Sequence, residues 1–321
     1  VKIRKGTLTL AMANIKKPVI PPVGRYIDPL TDFGFKYLFG EPNKSLLIGF
    51  LNAVLSGRKT ITDLQYGPTE QHADISLHRG VTVDLFCTGI HGEKFIVEMQ
   101  RANQEFFKDR SLFYISRIIS RQQKKGNKKW DYELPEIYFV GIMDFRFDDT
   151  EDKKYFHDVH LADRNSGERF YDKLGLLYIE LPNFTKEYHE GEEIDKVPEL
   201  DKWIYVLKHL SRLKKEPAFL NEWLFRRIFK IAKVANLKEK ERMSYESSLK
   251  AQRDYYSSIS YAEKKAMEKG MEKGMEKGKE QVVKNLIIEL GLSDQQAARI
   301  AEIPVSFVKK IRTSLKKKKQ E

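Results

Sequence analysis

Cysteine is the first shortage: the 321 residues hold one, Cys87. That excludes an internal disulfide and any cysteine-rich zinc site. Long apolar runs are missing too. None reaches the roughly 18 residues expected of a spanning helix, so no membrane span is expected. The opening VKIRKGTLTLAMANIKK is basic and has no apolar segment followed by a small-residue cleavage site, so it does not read as a secretory leader. Met12 offers a second start besides Val1. These shortages fit a cytoplasmic protein. Acidic residues run short only in the last third. Residues 201–321 carry 29 Lys+Arg against 16 Asp+Glu, whereas residues 1–200 are near balance, giving a net +12 overall. Such asymmetry points to an appendage drawn to a polyanion, with nucleic acid foremost. A well-solvated helical tail would give the same composition.

A hydrophobic content of 41% can supply at least one sizeable core. Four prolines in residues 14–29 suggest an extended entry. TDFGFKYLFG reads as a short helix with Asp32 as a cap, Phe35 and Phe39 on one face and Gly40 at its end. A second helix is expected over residues 44–55, from Leu47, Leu51 and Val54. VTVDLFC (residues 81–87) alternates, with Val81, Val83, Leu85 and Cys87 on one face and Asp84 and Phe86 on the other. KFIVEMQ (residues 94–100) does the same, with Glu98 and Gln100 beside Ile96. The TGIHGE loop suits a hairpin between them. A long helix over residues 104–125, an apolar strand over 136–145 and a strand over 176–184 follow. This order argues for an α/β sandwich. From residue 200 the pattern is helical, with Trp203, Leu207, Leu210, Phe219, Trp223, Ile228, Ile231 and Val234 completing the core.

The organisation expected is an extension (1–24), an α/β domain (25–235), a spacer with three MEKG repeats (236–280) and a small helix-turn-helix-like unit with a basic tail (281–321). Gly270, Gly274 and Gly278 weaken the spacer as a helix by about 1 kcal/mol each. It reads as a frayed helix or as a surface for self-association. In the last unit Gly291 ends one helix, Ser293 and Gln296 form a capping box, and Ile303-Pro304 turns into a third helix. Lys309, Lys310 and Arg312 on that helix are candidate phosphate contacts.

Asp84 and Glu98 each interrupt an otherwise apolar strand. A buried carboxylate without a partner is unfavourable, and a divalent cation resolves that. Mg²⁺ takes one or two carboxylates and fills its shell with water and phosphate, so a phosphodiester-cleaving site is one reading. Acids on the solvated face of a hairpin are the competing one. HDVH (His157, His160) lacks an evident third ligand and reads as surface or loop residues, and Cys87 as a small hydrophobe.

DPLTDFGFKYLFG, VTVDLFC, FIVEMQ, RSLFYISRIISRQ and LYIELPNF, in this order, resemble the Rpn recombination-promoting nucleases, also labelled PD-(D/E)xK nuclease family transposases. The resemblance runs from about residue 28 to the glycine repeats. It implies a restriction-endonuclease-like mixed sheet flanked by helices. It also implies DNA cleavage with Mg²⁺, or Mn²⁺ in its place, and a link to recombination or mobile DNA. By position Asp84 is the acid of the second motif, and Glu98 and Gln100 form an E-x-Q version of the third. Val83 stands where the superfamily pattern has proline, and Gln100 where it has lysine. An amide is no proton-transfer base. Asp32 is a further acidic candidate, and Lys36 a phosphate contact. Arg110, Tyr114, Arg117 and Arg121 form one helical stripe suited to DNA, with Leu112, Ile115 and Ile119 turned elsewhere, toward the sheet.

Rival readings are a nuclease fold that grips DNA without cutting and an assembly protein joined through its C-terminal helices. A DDE-type ribonuclease-H core lacks an assignable third carboxylate on a later helix.

Overall fold

The computed structural model describes residues 24–71, 81–122, 133–147, 153–188 and 196–317. They fall into two compact units, residues 24–252 and 253–317. The rest of the expected N-terminal extension and the last four residues of the basic tail, 318–321, lie outside the described residues.

The first unit opens with α1 (Asp32–Phe39) and α2 (Lys44–Val54). Their apolar spacing does what it predicts: Phe35, Phe39, Leu47, Leu51 and Val54 are buried. The cap of α1 is Thr31, not Asp32. The Thr31 hydroxyl accepts the Gly34 amide at 3.0 Å, which leaves Asp32 exposed and paired with Lys36 at 2.6 Å.

Strands β1 (Leu64–Tyr66), β2 (Glu70–Gln71), β3 (Val81–Thr82), β4 (Leu85–Gly89) and β5 (Lys94–Gln100) precede α3 (Phe107–Ser120). After it come β6 (Ile137–Met143), β7 (Phe156–Ala162) and β8 (Arg169–Glu180). Six of them form a mixed sheet in the order β1-β4-β5-β6-β8-β7, and β2 pairs with β3 apart from it. β4 and β5 are antiparallel, with Leu85 opposite Val97 and Cys87 opposite Phe95. β5, β6 and β8 run parallel, and β7 returns antiparallel to β8. A parallel pair needs a crossover, which α3 supplies between β5 and β6.

Helices α4 (Glu199–His209) and α5 (Trp223–Ile231) complete the layers. On one sheet face Phe95, Val97, Val140, Ile142, Leu177 and Ile179 pack with Phe35, Phe50, Trp203 and Phe225. On the other, Ile96, Phe139, Met143 and Tyr178 pack with Phe107, Ile115 and Ile118 of α3. Each large side chain buried this way stabilises by about 1.5–3 kcal/mol. The mixed α/β architecture expected from the sequence is the one found.

Several local expectations are corrected. Residues 81–87 are not one strand: residues 81–82 pair with β2, and pairing with β5 begins only at Leu85. The break at Val83-Asp84 turns Val83 toward Ile96 and α3, away from Leu85 and Cys87. On α3 the inward line is Phe107, Ser111, Ile115 and Ile118, while Leu112 is 52% exposed. Trp223 is also exposed, with Arg227 5.7 Å over its ring. HDVH lies on strand β7, where both histidines are half-buried and the pairing with β8 turns irregular after Val159.

Helix α6 (Glu239–Ile288) begins inside the first unit. Tyr245 and Leu249 belong to its core, and the Tyr245 hydroxyl accepts the Asp28 amide at 2.9 Å. The two compact units divide after residue 252, within this helix. In the second unit the rest of α6 is followed by α7 (Asp294–Ala301) and α8 (Val305–Lys317). Val283, Ala297, Ala298, Val308 and Ile311 form its small core. Gly291 takes φ +63° after the helix end, and Ser293 and Gln296 form the expected capping box. The MEKG repeats lie within helix α6. No described helix is long and apolar enough to cross a membrane.

Candidate active site

Period-two alternation along β5 puts Glu98 on the face of Ile96, toward α3. Asp84 lies one residue before the paired stretch of β4, at the position opposite Glu98 when the Leu85–Val97 register is extended. The two acids are interlocked. The Asp84 amide donates to Glu98 Oε1 at 2.9 Å, and the Met99 amide donates to Asp84 Oδ2 at 2.8 Å. Each carboxylate is thus fixed by backbone, the first by its neighbour's strand and the second by the residue after its partner.

The environment is costly for two negative charges. Glu98 is 4% exposed, and Asp84 is half-buried. Burial, and then the nearby Asp84 charge, push the Glu98 carboxyl up to about 8. Burial also raises Asp84, against the Met99 hydrogen bond and the Lys36 charge. Arg110 Nη2 lies 3.9 Å from Glu98 Oε2, a long contact. Lys36, Asp32 and Arg110 all act on Asp84 through space, so α1 and α3 bring their charges to the end of β5.

The structure therefore gathers Asp84, Glu98, Asp32, Lys36 and Arg110. Gln100 sits on the same strand face by alternation, but its Nε2 donates to the Ala102 carbonyl at 3.3 Å. Arg110 donates to the Tyr114 hydroxyl at 2.8 Å. Arg117 turns Nε and Nη2 inward, with no acceptor among the described residues. Arg121 follows just past the end of the helix. In the second unit Lys309 and Lys310 are exposed. Arg312 is not available for phosphate in the same way: it donates to Asp294 at 2.6 Å and to the Leu292 carbonyl at 2.7 Å, closing the loop before α7.

Gly141 is the residue of β6 opposite Glu98. A Cβ there would meet the rings of Phe107, Phe139 and Tyr178 at 3.1 Å, so this glycine lets α3 close over the strand end. A cleft of about 520 Å³ beside Asp32 and Lys36 is lined across from α1 by Ser244, Ser247 and Ser248 of α6.

Sequence reasoning missed Arg101. Its guanidinium pairs with the buried Asp28 at 2.6 Å and with Asp144 at 3.5 Å. Gln252, with its amide oriented to satisfy both groups, accepts from Arg101 Nε at 2.6 Å. This clamp fixes the backbone directly after Gln100. The only sequence signal is an arginine after the motif, because its acid partner Asp28 is 73 residues away.

Among the described residues no three His, Cys, Asp or Glu form a group able to hold a metal ion. His157 instead lies 2.9 Å from the buried Glu180. A closed protein cage is thus absent there, but Mg²⁺ and Mn²⁺ do not require one. Two enclosed, hard-oxygen carboxylates facing each other fit an ion that takes the rest of its shell from water and phosphate.

A mixed sheet flanked by helices, with an acidic pair where an antiparallel hairpin meets the parallel strands, defines a nuclease-type α/β fold. The chain belongs to the PD-(D/E)XK nuclease family transposases, whose family model matches residues 29–262. The matched span takes in α1 through the first part of α6. No curated protein and no solved structure matches the chain. Membership makes this a nuclease-family protein linked to mobile DNA.

Proposed function

We propose that the protein is a metal-dependent DNA endonuclease that hydrolyses phosphodiester bonds during recombination or movement of mobile DNA. Asp84 and Glu98 hold Mg²⁺ or Mn²⁺. The observation that carries this reading is the interlocked, enclosed acid pair. Buried structural carboxylates are matched by cations, whereas burial raises the proton affinity of both acids, the Asp84 charge raises Glu98 further, and Glu98 meets Arg110 only at 3.9 Å.

A bound divalent ion neutralises charge on the phosphate and makes a water nucleophilic. The chain's own residues do the rest. Backbone amides of Asp84 and Met99 hold the carboxylates in place before substrate arrives. Lys36 brings a positive charge to the same spot, the charge that Gln100 does not provide. Gln100 orients groups by hydrogen bonding but does not take the proton. Arg110, held against Tyr114, engages backbone phosphates. The serines of α6 offer hydroxyls to a strand lying in the cleft beside Lys36. Lys309 and Lys310 add sequence-independent attraction. The C-terminal helices serve self-association, and the cytoplasm is the compartment that suits a DNA substrate and one buried thiol.

One observation favours a second reading, a fold that grips DNA without cutting: the Gln100 amide is spent on Ala102. Nicking of supercoiled plasmid in Mg²⁺, Mn²⁺, Ca²⁺ and EDTA separates the two. The endonuclease reading expects nicking in Mg²⁺ and Mn²⁺ and none in Ca²⁺ or EDTA. DNA binding with no nicking in any metal favours the second.

A further inference from the structure

The chain leaving β5 enters α3 through Phe106, whose φ is +64°. A bulky residue in the left-handed region is strained. The residue is 66% exposed, so packing among the described residues does not explain why phenylalanine stands there. Beside it is a cavity of about 460 Å³. Two buried rings, Phe107 and Phe145, line it edge to face at 5.8 Å. Phe147 forms another wall, with the Lys108 ammonium 4.4 Å over its ring. One residue links this cavity to the acid pair: Arg110 lies 5.9 Å over the Phe107 ring and 3.9 Å from Glu98.

We propose that this cavity is a nucleobase subsite, which takes one unpaired base of the DNA strand and stacks it on Phe106 beside the scissile phosphate. The proposal rests on the endonuclease reading and adds a substrate class to it: DNA with a locally unpaired strand. Aromatic walls suit the π-face of any base. The charges of Lys108 and Arg146 are offset by Glu105 and Asp109 in the same lining, which favours an uncharged base over a phosphate. The volume is in the range of small-molecule sites, which start at about 300 Å³. The strain at Phe106 is not offset by burial of its side chain, which leaves the ring open to an outside partner.

The test uses the full chain in Ca²⁺ and two probes, a fully paired duplex and the same duplex with a short bubble carrying one 2-aminopurine. Wild type should prefer the bubble and quench 2-aminopurine on binding. Phe106→Gly removes the ring and relieves the positive φ. It should melt no lower than wild type, yet lose about 5- to 150-fold in bubble affinity, the worth of one stacked base. Phe106→Trp should restore both preference and quenching. A stable Phe106→Gly protein with the wild-type preference for bubble over duplex overturns the subsite, as does unquenched 2-aminopurine on the bound wild type. If wild type binds neither probe, the endonuclease reading falls and the subsite with it.

Discussion

Two sets of acids flank the end of β5, and they are treated oppositely. Asp28 and Asp144 share the guanidinium of Arg101 at 2.6 and 3.5 Å. The Asp28 side chain also accepts the Leu30 amide at 3.0 Å. Asp84 and Glu98 are as enclosed, but they face each other, and the nearest arginine contact is 3.9 Å. The first set is a fastener, tied down by Arg101, with Arg212 and Lys208 also acting on Asp144 through space. The second is held by backbone amides in an arrangement that opposes folding unless a cation arrives from outside. On the proposed reading, the difference separates acids that tie the fold together from acids that hold a cation.

The largest expected effect falls on the second set. Asp84→Ala should lower plasmid nicking by at least about 100-fold, since charge neutralisation and water activation fail together. DNA binding in Ca²⁺ should persist, because Lys36 and Arg110 remain. The readout is nicking rate beside a binding isotherm, with folding checked by circular dichroism; wild-type cutting by the variant would remove Asp84 from the site.

The mirror experiment acts on the first set. Arg101→Ala leaves Asp28 and Asp144 enclosed without their cation and should cost about 3–5 kcal/mol of stability, read from urea unfolding. A loss well below 1 kcal/mol would mean that the clamp is ornamental.

Acidity gives a third contrast. The Glu98 pKa is raised from 4.5 to about 8 in the metal-free fold. Between those values the folded state binds more protons than the unfolded chain, so stability falls as pH rises through that window. Without metal, the melting temperature should therefore drop between pH 5 and pH 8 in wild type. Glu98→Gln should flatten that drop and melt higher than wild type at pH 8. Melting curves in EDTA across that range check both statements, and an unchanged slope in Glu98→Gln would contradict them.

Smaller effects are expected around the pair. Gln100→Ala should reduce cutting less than Asp84→Ala does, because an amide only orients, and Gln100→Lys should retain activity. Their nicking rates beside that of Asp84→Ala decide the ranking. Smallest of all, Lys309→Ala with Lys310→Ala should lower the slope of log affinity against log salt by no more than about 2, one unit per lost phosphate contact. An unchanged slope would take α8 out of DNA binding.

What the sequence made legible was local. Alternation in KFIVEMQ set the face of Glu98, and glycine and the capping box at Gly291 and Ser293 marked the turn before α7. The pairing of β4 with β5 followed from a short loop between two apolar runs. What it hid depended on distant partners. The break at Asp84 arises because Val81 and Thr82 pair with Gln71 and Glu70, a contact with no periodic trace. β7 is an edge strand that leaves Asp158, Val159, Leu161 and Ala162 exposed, and polar residues interrupt FHDVHLA, so it lacks the apolar run that exposed β6. Asp32 looked like the cap because it precedes Phe33, but Thr31 has the extended backbone that a cap requires. The Arg101 clamp joins residues from opposite ends of the first unit, and no spacing rule reaches that far.

The central claim is that Asp84 and Glu98 form a cation site, and direct titration of Mn²⁺ into the metal-free protein at pH 8 tests it. Calorimetry with parallel electron paramagnetic resonance should detect Mn²⁺ bound to wild type and to Arg312→Ala, and loss of that binding in Asp84→Asn and Glu98→Gln. Mn²⁺ bound equally well by Asp84→Asn, Glu98→Gln and wild type would contradict the account.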